Sequence, residues 1–323
     1  YNNYIMKNIY SNIFSFNKKI LNKTIINLKK GNVLALPTET VYGLAGNAYS
    51  AKAVNKIYKL KKRPKQNPLI VHFYDFNDVK NDVFLNKNFF KLYKKFCPGP
   101  ITFILKKKTN SKIKYVGPNK FNTVAVRFPK HKIIRSILKN INFPLAMPSA
   151  NISSHVSPVS AKDVSDEFNK KIEFIINGGR SQIGIESTVI DLTGSPSILR
   201  PGIIGPEMIN NLLKTKINIT KRNYQIKSPG MLKKHYSPGI PVYLNKSSAS
   251  DKIALITYGK KYRNKKNHFN LSKKSSLKTA ASNLFETLRK IKKLKYKKIN
   301  VVKIPNKGPG IAINDRLKRA AQK

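Results

Sequence analysis

The 323-residue sequence predicts a layered α/β fold in two units. Over the first two-thirds of the chain, short apolar runs alternate with segments of helical periodicity, which is the pattern of an α/β domain. Residues 217–241 are rich in Lys, Asn, Ser, Pro and Gly and lack strong periodicity, as is typical of a linker. The alternation then resumes over about 85 residues, a length within the usual range for a domain.

The elements of the first unit follow from periodicity and from residues that start or stop helices. Apolar residues at helical spacing predict a helix over residues 17–30, which Gly31 ends. Ser50 is the predicted N-cap of a second helix, which ends near Pro64. Strands are predicted at 33–36, 69–73, 101–105, 124–128, 145–147, 174–176, 188–192 and 197–199, and further helices at 89–96, 133–139, 161–168 and 205–212.

The second unit and the linker complete the predicted organisation. Strands are predicted at 242–244, 253–258 and 299–304, and helices at 277–294 and 311–321. The linker contains Ser-Pro-Gly-Met-Leu-Lys-Lys-His-Tyr-Ser-Pro-Gly at residues 228–239, a choice of residues too specific for a passive spacer. The predicted boundaries are 1–16 for an N-terminal extension, 17–205 for the first domain, 206–240 for the linker and 241–323 for the second domain.

The charge of the chain is strongly positive. The sequence has 64 Lys and Arg against 14 Asp and Glu, a formal net charge of +50, which favours contact with nucleic acid. Genome composition is the alternative explanation, because Lys, Asn and Ile all have AT-rich codons and the lysines are spread along nearly every segment. Hydrophobic residues make up 40% of the chain, which supports packed cores and excludes a disordered polycation.

Composition also bears on location. No stretch approaches the ~18 apolar residues of a membrane helix, and the N-terminus lacks a secretory segment, so we expect no membrane association. The single cysteine, Cys97, excludes an internal disulfide framework and fits a reducing cytosol, so we expect a cytoplasmic protein. The five histidines and the cysteine show no zinc spacing, so we predict no metal site built from protein residues.

Two neighbouring segments hold the densest chemical signal. Residues 37–44, Pro-Thr-Glu-Thr-Val-Tyr-Gly-Leu, follow an apolar strand with hydroxyl and carboxylate side chains on a turn. Residues 60–72 carry four cations just before an apolar strand that ends at His72. Hydroxyls facing a cation cluster suit a small polar substrate beside a polyphosphate, since Lys and Arg bind phosphate oxygens. The alternative is a solvated basic helix end, favoured by the helix dipole.

Arg127 interrupts an otherwise apolar strand, Val-Ala-Val-Arg-Phe. A buried guanidinium without an anionic partner is energetically costly, and the chain has few acidic residues to supply one. A substrate carboxylate is therefore one candidate partner. Structural pairing with Glu39 or Glu186 is the other.

Short polar residues stand at two more strand ends, where open α/β sheets bind ligands. Residues 148–151, Pro-Ser-Ala-Asn, follow a strand, and residues 184–188, Gly-Ile-Glu-Ser-Thr, precede one. Ordinary Asx- and Ser-turns explain either segment taken alone. No P-loop is predicted after the glycines of 179–184, because Ile185 and Glu186 stand where Lys and Ser/Thr are required. A lone strand-end histidine such as His72 either contacts a substrate or is structural.

Taken in order, these segments resemble the threonylcarbamoyl-AMP synthase family, whose catalytic part is called the YrdC-like domain. The resemblance covers nearly all of residues 17–205, and the linker with the C-terminal unit resembles the long form of the family. It implies a layered YrdC-like domain with a twisted open mixed sheet, plus a small Rossmann-like α/β domain. The matching stretches are 37–44, 61–72, 98–103, 123–128, 148–151, 184–188 and 199–202.

The resemblance also implies a reaction and its partners. L-threonine, bicarbonate and ATP would give threonylcarbamoyl-AMP and pyrophosphate, with Mg²⁺ bound mainly through the ATP phosphates. The adenylate would pass to the tRNA threonylcarbamoyl transferase machinery, which modifies the adenosine beside the anticodon, and weak tRNA contact would accompany the high charge. Such chemistry needs no protein nucleophile, only oriented reactants and neutralised pyrophosphate.

Roles are implied for residues that match the family's motifs by position. Lys61 and Arg63 would be catalytic. Tyr236 would reach in from the linker as a lid over the nucleotide. The L-threonine site would comprise Thr38, His72, Arg127, Met147 and Ser187, with Arg127 on the carboxylate. The ATP site would comprise Lys61, Arg63, Lys65, Thr123, Ser149, Asn151, Ser157, Arg200 and Tyr236.

Two other functions are weighed against this one. A non-catalytic module that binds tRNA or double-stranded RNA through a basic sheet would show salt-sensitive binding and no threonine-dependent pyrophosphate release. The sequence has no recognised RNA-binding signature to favour it. Carbamoyl transfer of the hydrogenase-maturation type shares the domain, but the zinc-finger cysteines expected of that class are missing.

Overall fold

The computed structural model describes residues 10–118, 122–168, 171–220, 235–262 and 265–322. The helices are α1 (Lys18–Lys29), α2 (Ala51–Lys61), α3 (Phe76–Val79), α4 (Lys87–Phe96), α5 (Lys132–Lys139), α6 (Ala161–Phe168), α7 (Pro206–Leu213), α8 (Leu277–Lys293) and α9 (Pro309–Ala320). The strands are β1 (Ile13–Ser15), β2 (Leu34–Leu36), β3 (Gly43–Asn47), β4 (Ile70–His72), β5 (Ile101–Lys106), β6 (Thr123–Arg127), β7 (Leu145–Ala146), β8 (Ile175–Asn177), β9 (Thr188–Asp191), β10 (Ser197–Arg200), β11 (Val242–Leu244), β12 (Ala254–Thr257), β13 (His268–Asn270) and β14 (Ile299–Val301).

The strands form two sheets. The larger sheet is mixed and has the order β1-β8-β2-β3-β7-β4-β6-β5-β9-β10 in the described part of the chain. Within it β4 and β6 are parallel, whereas β5 and β6 are antiparallel. The smaller sheet has the order β11-β14-β12-β13, and its neighbouring strands are parallel. The predicted α/β fold, with a mixed sheet followed by a small Rossmann-like α/β domain, is confirmed.

Local sequence accounts for the start of the first two helices. The side chain of Asn17 accepts a hydrogen bond from the backbone N–H of Ile20 at 2.9 Å, and Ser50 caps α2 through Ala53 in the same way. Each cap satisfies an N–H group that has no partner inside its helix. The predicted N-cap at Ser50 is therefore confirmed.

Helices cover both faces of the large sheet. On one face Leu28 of α1 and Ile134 of α5 pack against Leu36 of β2. On the other face Ile57 of α2 and Phe89 of α4 belong to a second buried cluster. Full burial of each such side chain stabilises the fold by about 1.5–3 kcal/mol. The strand ends that carry the candidate residues are thus held by packed layers.

Four short elements have no counterpart among the predicted ones: β1, β3, α3 and β13. Ile13–Ser15 lies in the segment predicted as an N-terminal extension, yet it pairs with β8. The sequence of β3, Gly-Leu-Ala-Gly-Asn, has none of the β-branched residues that mark strands. Tertiary packing sets its composition, since a Cβ on Gly43 would stand 2.5 Å from Cγ of Met147.

The two units share a hydrophobic cluster. Leu284 and Phe285 of α8 belong to the same buried cluster as Val41, Val156 and Ile185 of the first unit. The last three residues lie in loops that carry candidate site residues. The second unit therefore packs directly behind the candidate site. Among the described helices, none combines the length and apolar character needed to cross a lipid bilayer.

Candidate active site

A cleft with an empty volume of about 490 Å³ opens where several elements of the large sheet end. It is lined by seven of the predicted site residues, namely Thr38, Arg63, His72, Arg127, Met147, Ser149 and Arg200. We call Thr38, His72, Arg127 and Met147 the β4–β6 end of the cleft. We call Arg63, Ser149, Glu186, Arg200 and His235 the Arg63–Arg200 end.

The β4–β6 end contains buried polar atoms without partners. His72 and Arg127 are register neighbours on parallel strands and are 1% and 4% exposed. Both ring nitrogens of His72 and Nε of Arg127 have no hydrogen-bond partner among the described residues. Burial, reinforced by the charge of Arg127, holds the pKa of His72 well below its usual value. A neutral imidazole and one guanidinium edge are thus available to a polar ligand.

Arg127 also has a structural partner. Its Nη2 donates a hydrogen bond to Oε1 of Glu39 at 2.7 Å, and both side chains are buried. Burial by itself would raise the pKa of Glu39, but the adjacent guanidinium brings it below the usual value. The pairing with Glu39 that the sequence left open therefore exists. It uses Nη2 and leaves Nε unpaired.

The hydroxyl of Thr38 lies in a tight hydrogen-bonded turn. Its Oγ1 donates to the backbone carbonyl of Val41 at 2.6 Å and lies 2.8 Å from Oγ1 of Thr40. The backbone N–H groups of Thr40 and Val41 donate to it in turn. Thr38 thus shapes the wall of the cleft, with a hydroxyl already engaged by its own loop.

Lys61 connects the end of α2 to the loop after β7. Its Nζ donates to the carbonyl oxygens of Ser149 and Asn151 at 2.6 and 2.5 Å. The side chain is 1% exposed, and burial, followed by the charge of Arg63, holds its pKa well below the usual value. Inside this loop Ser149 Oγ donates to Oδ1 of Asn151 at 2.6 Å. Lys61 therefore holds in place the loop that carries Ser149 and Asn151, two residues of the predicted ATP site.

Arg63 faces the cleft in a fixed orientation. Its Nε donates to the carbonyl oxygen of Asn67 at 2.9 Å, and Nη2 donates to that of Pro68 at 2.9 Å. Burial lowers its pKa to about 10, so the guanidinium remains protonated at neutral pH. A cation oriented in this way suits a phosphate group.

Ser187 and Arg200 contact each other. Arg200 donates from Nε to the carbonyl oxygen of Ser187 and from Nη2 to its Oγ, both at 3.1 Å. The same Oγ lies 2.7 Å from Oγ1 of Thr102. Arg200 lines the cleft, whereas Ser187 lies fully buried behind it.

Ser157 acts on the cleft through Glu186. Its Oγ donates to Oε1 of Glu186 at 2.5 Å, and Glu186 lines the cleft. Burial would raise the pKa of Glu186, but the charges of Arg316 and Arg200 bring it below the usual value. An anionic carboxylate therefore stands among the cations of the Arg63–Arg200 end.

The structure does not bring Lys65 and Thr123 into this cleft. Lys65 is exposed and lines a separate groove with Tyr58 and Tyr115. Thr123 lines another groove, between Pro68 and Lys107. Their predicted roles in binding ATP stay predictions.

The predicted lid is described in part, because residues 221–234 lie outside the described residues. Tyr236 is fully buried, stacks on Phe285 with ring centroids 5.5 Å apart, and has a hydroxyl without a partner among the described residues. Its neighbour His235 lines the cleft instead. Burial, followed by the charge of Arg63, holds the pKa of His235 well below its usual value. Sequence analysis identified this segment as part of the site, but it assigned a role to Tyr236 and none to His235.

Glu186 and Arg316 are the other residues that sequence reasoning did not assign to the site. Glu186 appeared only as a possible partner of Arg127, whereas it pairs with Arg316 of α9. No local pattern marks Arg316, because it lies 130 positions from its partner. Within the described residues, no group of three or more His, Cys, Asp or Glu side chains is arranged to hold a metal ion.

Comparison with known families matches both units. The family described as "Telomere recombination" matches residues 27–202, and that described as "Threonylcarbamoyl-AMP synthase, C-terminal domain" matches residues 204–322. The threonylcarbamoyl-AMP synthase of Pyrococcus abyssi is 36% identical over 319 residues, covering 91% of this chain and 92% of the relative. That of Bacillus subtilis is 33% identical over 314 residues, covering 91% and 90%.

Solved structures agree with these matches. A crystal structure of P. abyssi Sua5 complexed with L-threonine superposes with a TM-score of 0.86 at 33% identity, covering 96% of this chain and 97% of that one. Full-length HypF, in its phosphate- and nucleotide-bound form, gives a TM-score of 0.50 at 23% identity over 56% of this chain and 28% of its own. The likeness to HypF extends to the fold alone.

Proposed function

The chain belongs to the threonylcarbamoyl-AMP synthase family, and from that premise we propose that it forms threonylcarbamoyl-AMP and pyrophosphate from L-threonine, bicarbonate and ATP. One observation carries the proposal, namely the unpaired polar atoms of His72 and Arg127 in the wall of the cleft. Buried donors and acceptors without partners are costly, so such atoms indicate a ligand that completes their bonds. The carboxylate and polar side chain of threonine have the required chemistry.

The reaction requires placement rather than a protein nucleophile. The amine of threonine and bicarbonate condense to a carbamate with loss of water. A carbamate oxygen then forms a bond to the α-phosphorus of ATP, while the bond to the bridging oxygen breaks and pyrophosphate leaves with its electron pair. Holding three reactants in line removes a large entropic part of the barrier.

ATP binds, in this proposal, at the Arg63–Arg200 end. Arg63 and Arg200 present guanidinium groups to the cleft, where negative charge builds on the departing pyrophosphate. Lys61 acts indirectly, because it holds the backbone carbonyl groups of Ser149 and Asn151 in place. Mg²⁺ bound through the ATP phosphates would supply further positive charge there, alongside Arg63 and Arg200.

The linker covers the bound nucleotide in this proposal and excludes water from a hydrolysable adenylate. The position of His235 in the cleft wall supports a role for this segment. Truncation before residue 228 should impair adenylate formation while the first domain stays folded. A truncated protein with full activity would contradict the lid.

The product serves, in this proposal, a cytoplasmic pathway of tRNA modification. The adenylate carries an activated threonylcarbamoyl group, which suits transfer by a separate enzyme to the adenosine beside the anticodon. Direct contact with tRNA is expected to be weak and electrostatic, given the net charge of +50.

One assay tests the function. The protein is incubated with ATP, Mg²⁺, bicarbonate and labelled L-threonine, and pyrophosphate and labelled adenylate are measured with and without threonine. We expect both products only when threonine and bicarbonate are present. Salt-sensitive RNA binding without threonine-dependent pyrophosphate would instead indicate a non-catalytic RNA-binding module.

A further inference from the structure

Arg316 of α9 is a buried cation that the proposed reaction does not use directly. It is fully buried, and its Nε donates to Oε2 of Glu186 at 3.2 Å. Its Nη1 donates to the carbonyl oxygen of Pro201 and, at 3.1 Å, to Asp315. A residue of the second unit thus contacts two loops that form the wall of the cleft in the first unit.

Both contacted loops carry groups of the Arg63–Arg200 end. Glu186 lines the cleft itself, and Pro201 directly follows Arg200. Arg200 in turn binds the backbone and the hydroxyl of Ser187, next to Glu186. Glu186 therefore forms an ion pair with Arg316 of the second unit, and the charge of Arg200, which lines the cleft, also acts on it.

Among the described residues that line the cleft, Glu186 is the one acidic residue. The charges of Glu186 and Arg200 act on each other, so a Glu186 carboxylate without another partner would compete with an anionic ligand for the guanidinium. Buried charges interact strongly because the local dielectric is low, so the competitor matters. The ion pair with Arg316 compensates the negative charge of Glu186.

We propose that Arg316 is a positioning residue that engages Glu186 and so leaves Arg200 without a carboxylate partner, able to bind the polyphosphate of the nucleotide. The second unit thereby sets the anion affinity of a cleft built by the first unit. The inference rests on the proposed function for the identity of the nucleotide. Control of anion affinity through Glu186 does not depend on that identity, because it is argued from the contacts of Arg316 with Glu186 and Pro201.

Inorganic pyrophosphate is the probe, because its binding can be measured by titration calorimetry without turnover. Arg316→Met removes the charge and retains an apolar side chain of similar length. Released from Arg316, Glu186 pairs with Arg200, so pyrophosphate affinity should fall about tenfold. Glu186→Gln should bind pyrophosphate at least as tightly as the wild type, since it removes the competing charge.

The double variant Glu186→Gln/Arg316→Met separates positioning from mere packing. If Arg316 acts through Glu186, the double variant should recover an affinity within about threefold of the wild type. A purely structural role for Arg316 predicts that the affinity stays low in the double variant, which would overturn the proposal. Unchanged affinity in folded Arg316→Met, or weaker binding by Glu186→Gln, would also overturn it.

Arg180→Gln is the matched control. Arg180 also joins the two units, through Glu286 and the carbonyl oxygen of Ser282, yet it does not line the cleft. Its removal should leave pyrophosphate affinity unchanged, whereas a loss equal to that of Arg316→Met would show that any weakened interface has this effect. If Arg316→Met does not fold, Arg316→Lys and Glu186→Gln decide. Arg316→Lys should keep at least a third of the wild-type affinity and Glu186→Gln should bind at least as tightly as the wild type, and failure of either expectation refutes the proposal. The synthase assay on the wild type is run separately, so failure of the proposed reaction leaves this result interpretable.

Discussion

The two ends of the cleft are built on different principles. At the β4–β6 end, polar atoms of His72 and Arg127 are buried without partners among the described residues. At the Arg63–Arg200 end, the cations bind protein carbonyls, as Arg63 does with Asn67 and Pro68. Unfilled hydrogen-bonding capacity is concentrated at the β4–β6 end, although Nδ1 of His235 at the other end is also unpaired among the described residues, and oriented charge dominates the Arg63–Arg200 end.

This difference bears on how each end selects a ligand. Unfilled donors and acceptors discriminate strongly, because a ligand lacking the matching group leaves them buried and unpaired. Oriented cations attract any polyphosphate of the right geometry, so they discriminate less between ligands that differ elsewhere. We therefore expect specificity for the amino acid to arise at the β4–β6 end and neutralisation of charge at the Arg63–Arg200 end.

The largest expected effect is that of Arg127→Ala at the β4–β6 end. Loss of the guanidinium removes the partner of the threonine carboxylate and leaves Glu39 buried without its cation. We expect kcat/KM for threonine to fall about 100-fold or more, with ATP binding largely intact. Steady-state kinetics and nucleotide titration measure the two effects.

The double variant Arg127→Ala/Glu39→Gln is the control for that experiment. It removes the leftover negative charge without restoring a partner for the carboxylate. We expect the threonine defect to persist. Recovery of threonine kinetics would mean that Arg127 serves only to neutralise Glu39, and the comparison between the ends would lose its main support.

Arg63→Lys tests the opposite end. Lysine keeps the charge but cannot span the carbonyl oxygens of Asn67 and Pro68 as the guanidinium fork does. We expect the KM for ATP to rise about tenfold, while the KM for threonine changes less than about threefold. Equal changes in both constants would show that the two ends do not act separately.

His72→Phe sharpens the account of unfilled hydrogen bonds. Phenylalanine keeps the ring but removes both nitrogens, so the KM for threonine should rise about tenfold. The free energy of unfolding in urea should not decrease, because two unsatisfied buried atoms are removed. A loss of stability with unchanged threonine kinetics would make His72 a structural residue.

The smallest expected effect concerns pH. Burial holds the pKa of His72 in the folded state well below the usual 6.5, so below that pH the unfolded state binds a proton that the folded state does not. Stability attributable to this group should therefore fall as the pH drops below 6.5, by at most about 1.4 kcal/mol per pH unit. His72→Phe should lose less stability than the wild type between pH 6.5 and 5.5. If urea unfolding shows that the wild type and His72→Phe lose the same stability across this range, the lowered pKa of His72 is contradicted.

Much of the fold and the candidate site followed from the sequence. The helix predicted over residues 161–168 has those bounds in α6, and Ser50 caps α2 as its hydroxyl suggests. Helix caps and hydrophobic periodicity involve residues a few positions apart, so they can be recognised in a short stretch of sequence. Polar residues at strand ends likewise marked the cleft, because the packing of strands brings such ends together.

Tertiary structure decided what local pattern does not contain. The strand β3 lacks a β-branched pattern, and its glycines match contacts with distant residues such as Met147. The sequence left Arg127 between two acidic partners, and the fold assigned Glu39 to Arg127 and Glu186 to Arg316.

The sequence by itself determined the layered fold, the family and half of the residues that line the cleft. Only the tertiary structure decided which charges pair, that His235 reaches the wall, and that a helix of the second unit supports it. The physical reason is the separation along the chain of the residues that each interaction joins. Hydrogen-bonded caps and periodic burial are set within a few positions of the chain, whereas an ion pair in a low-dielectric interior depends on residues that only the folded core brings together.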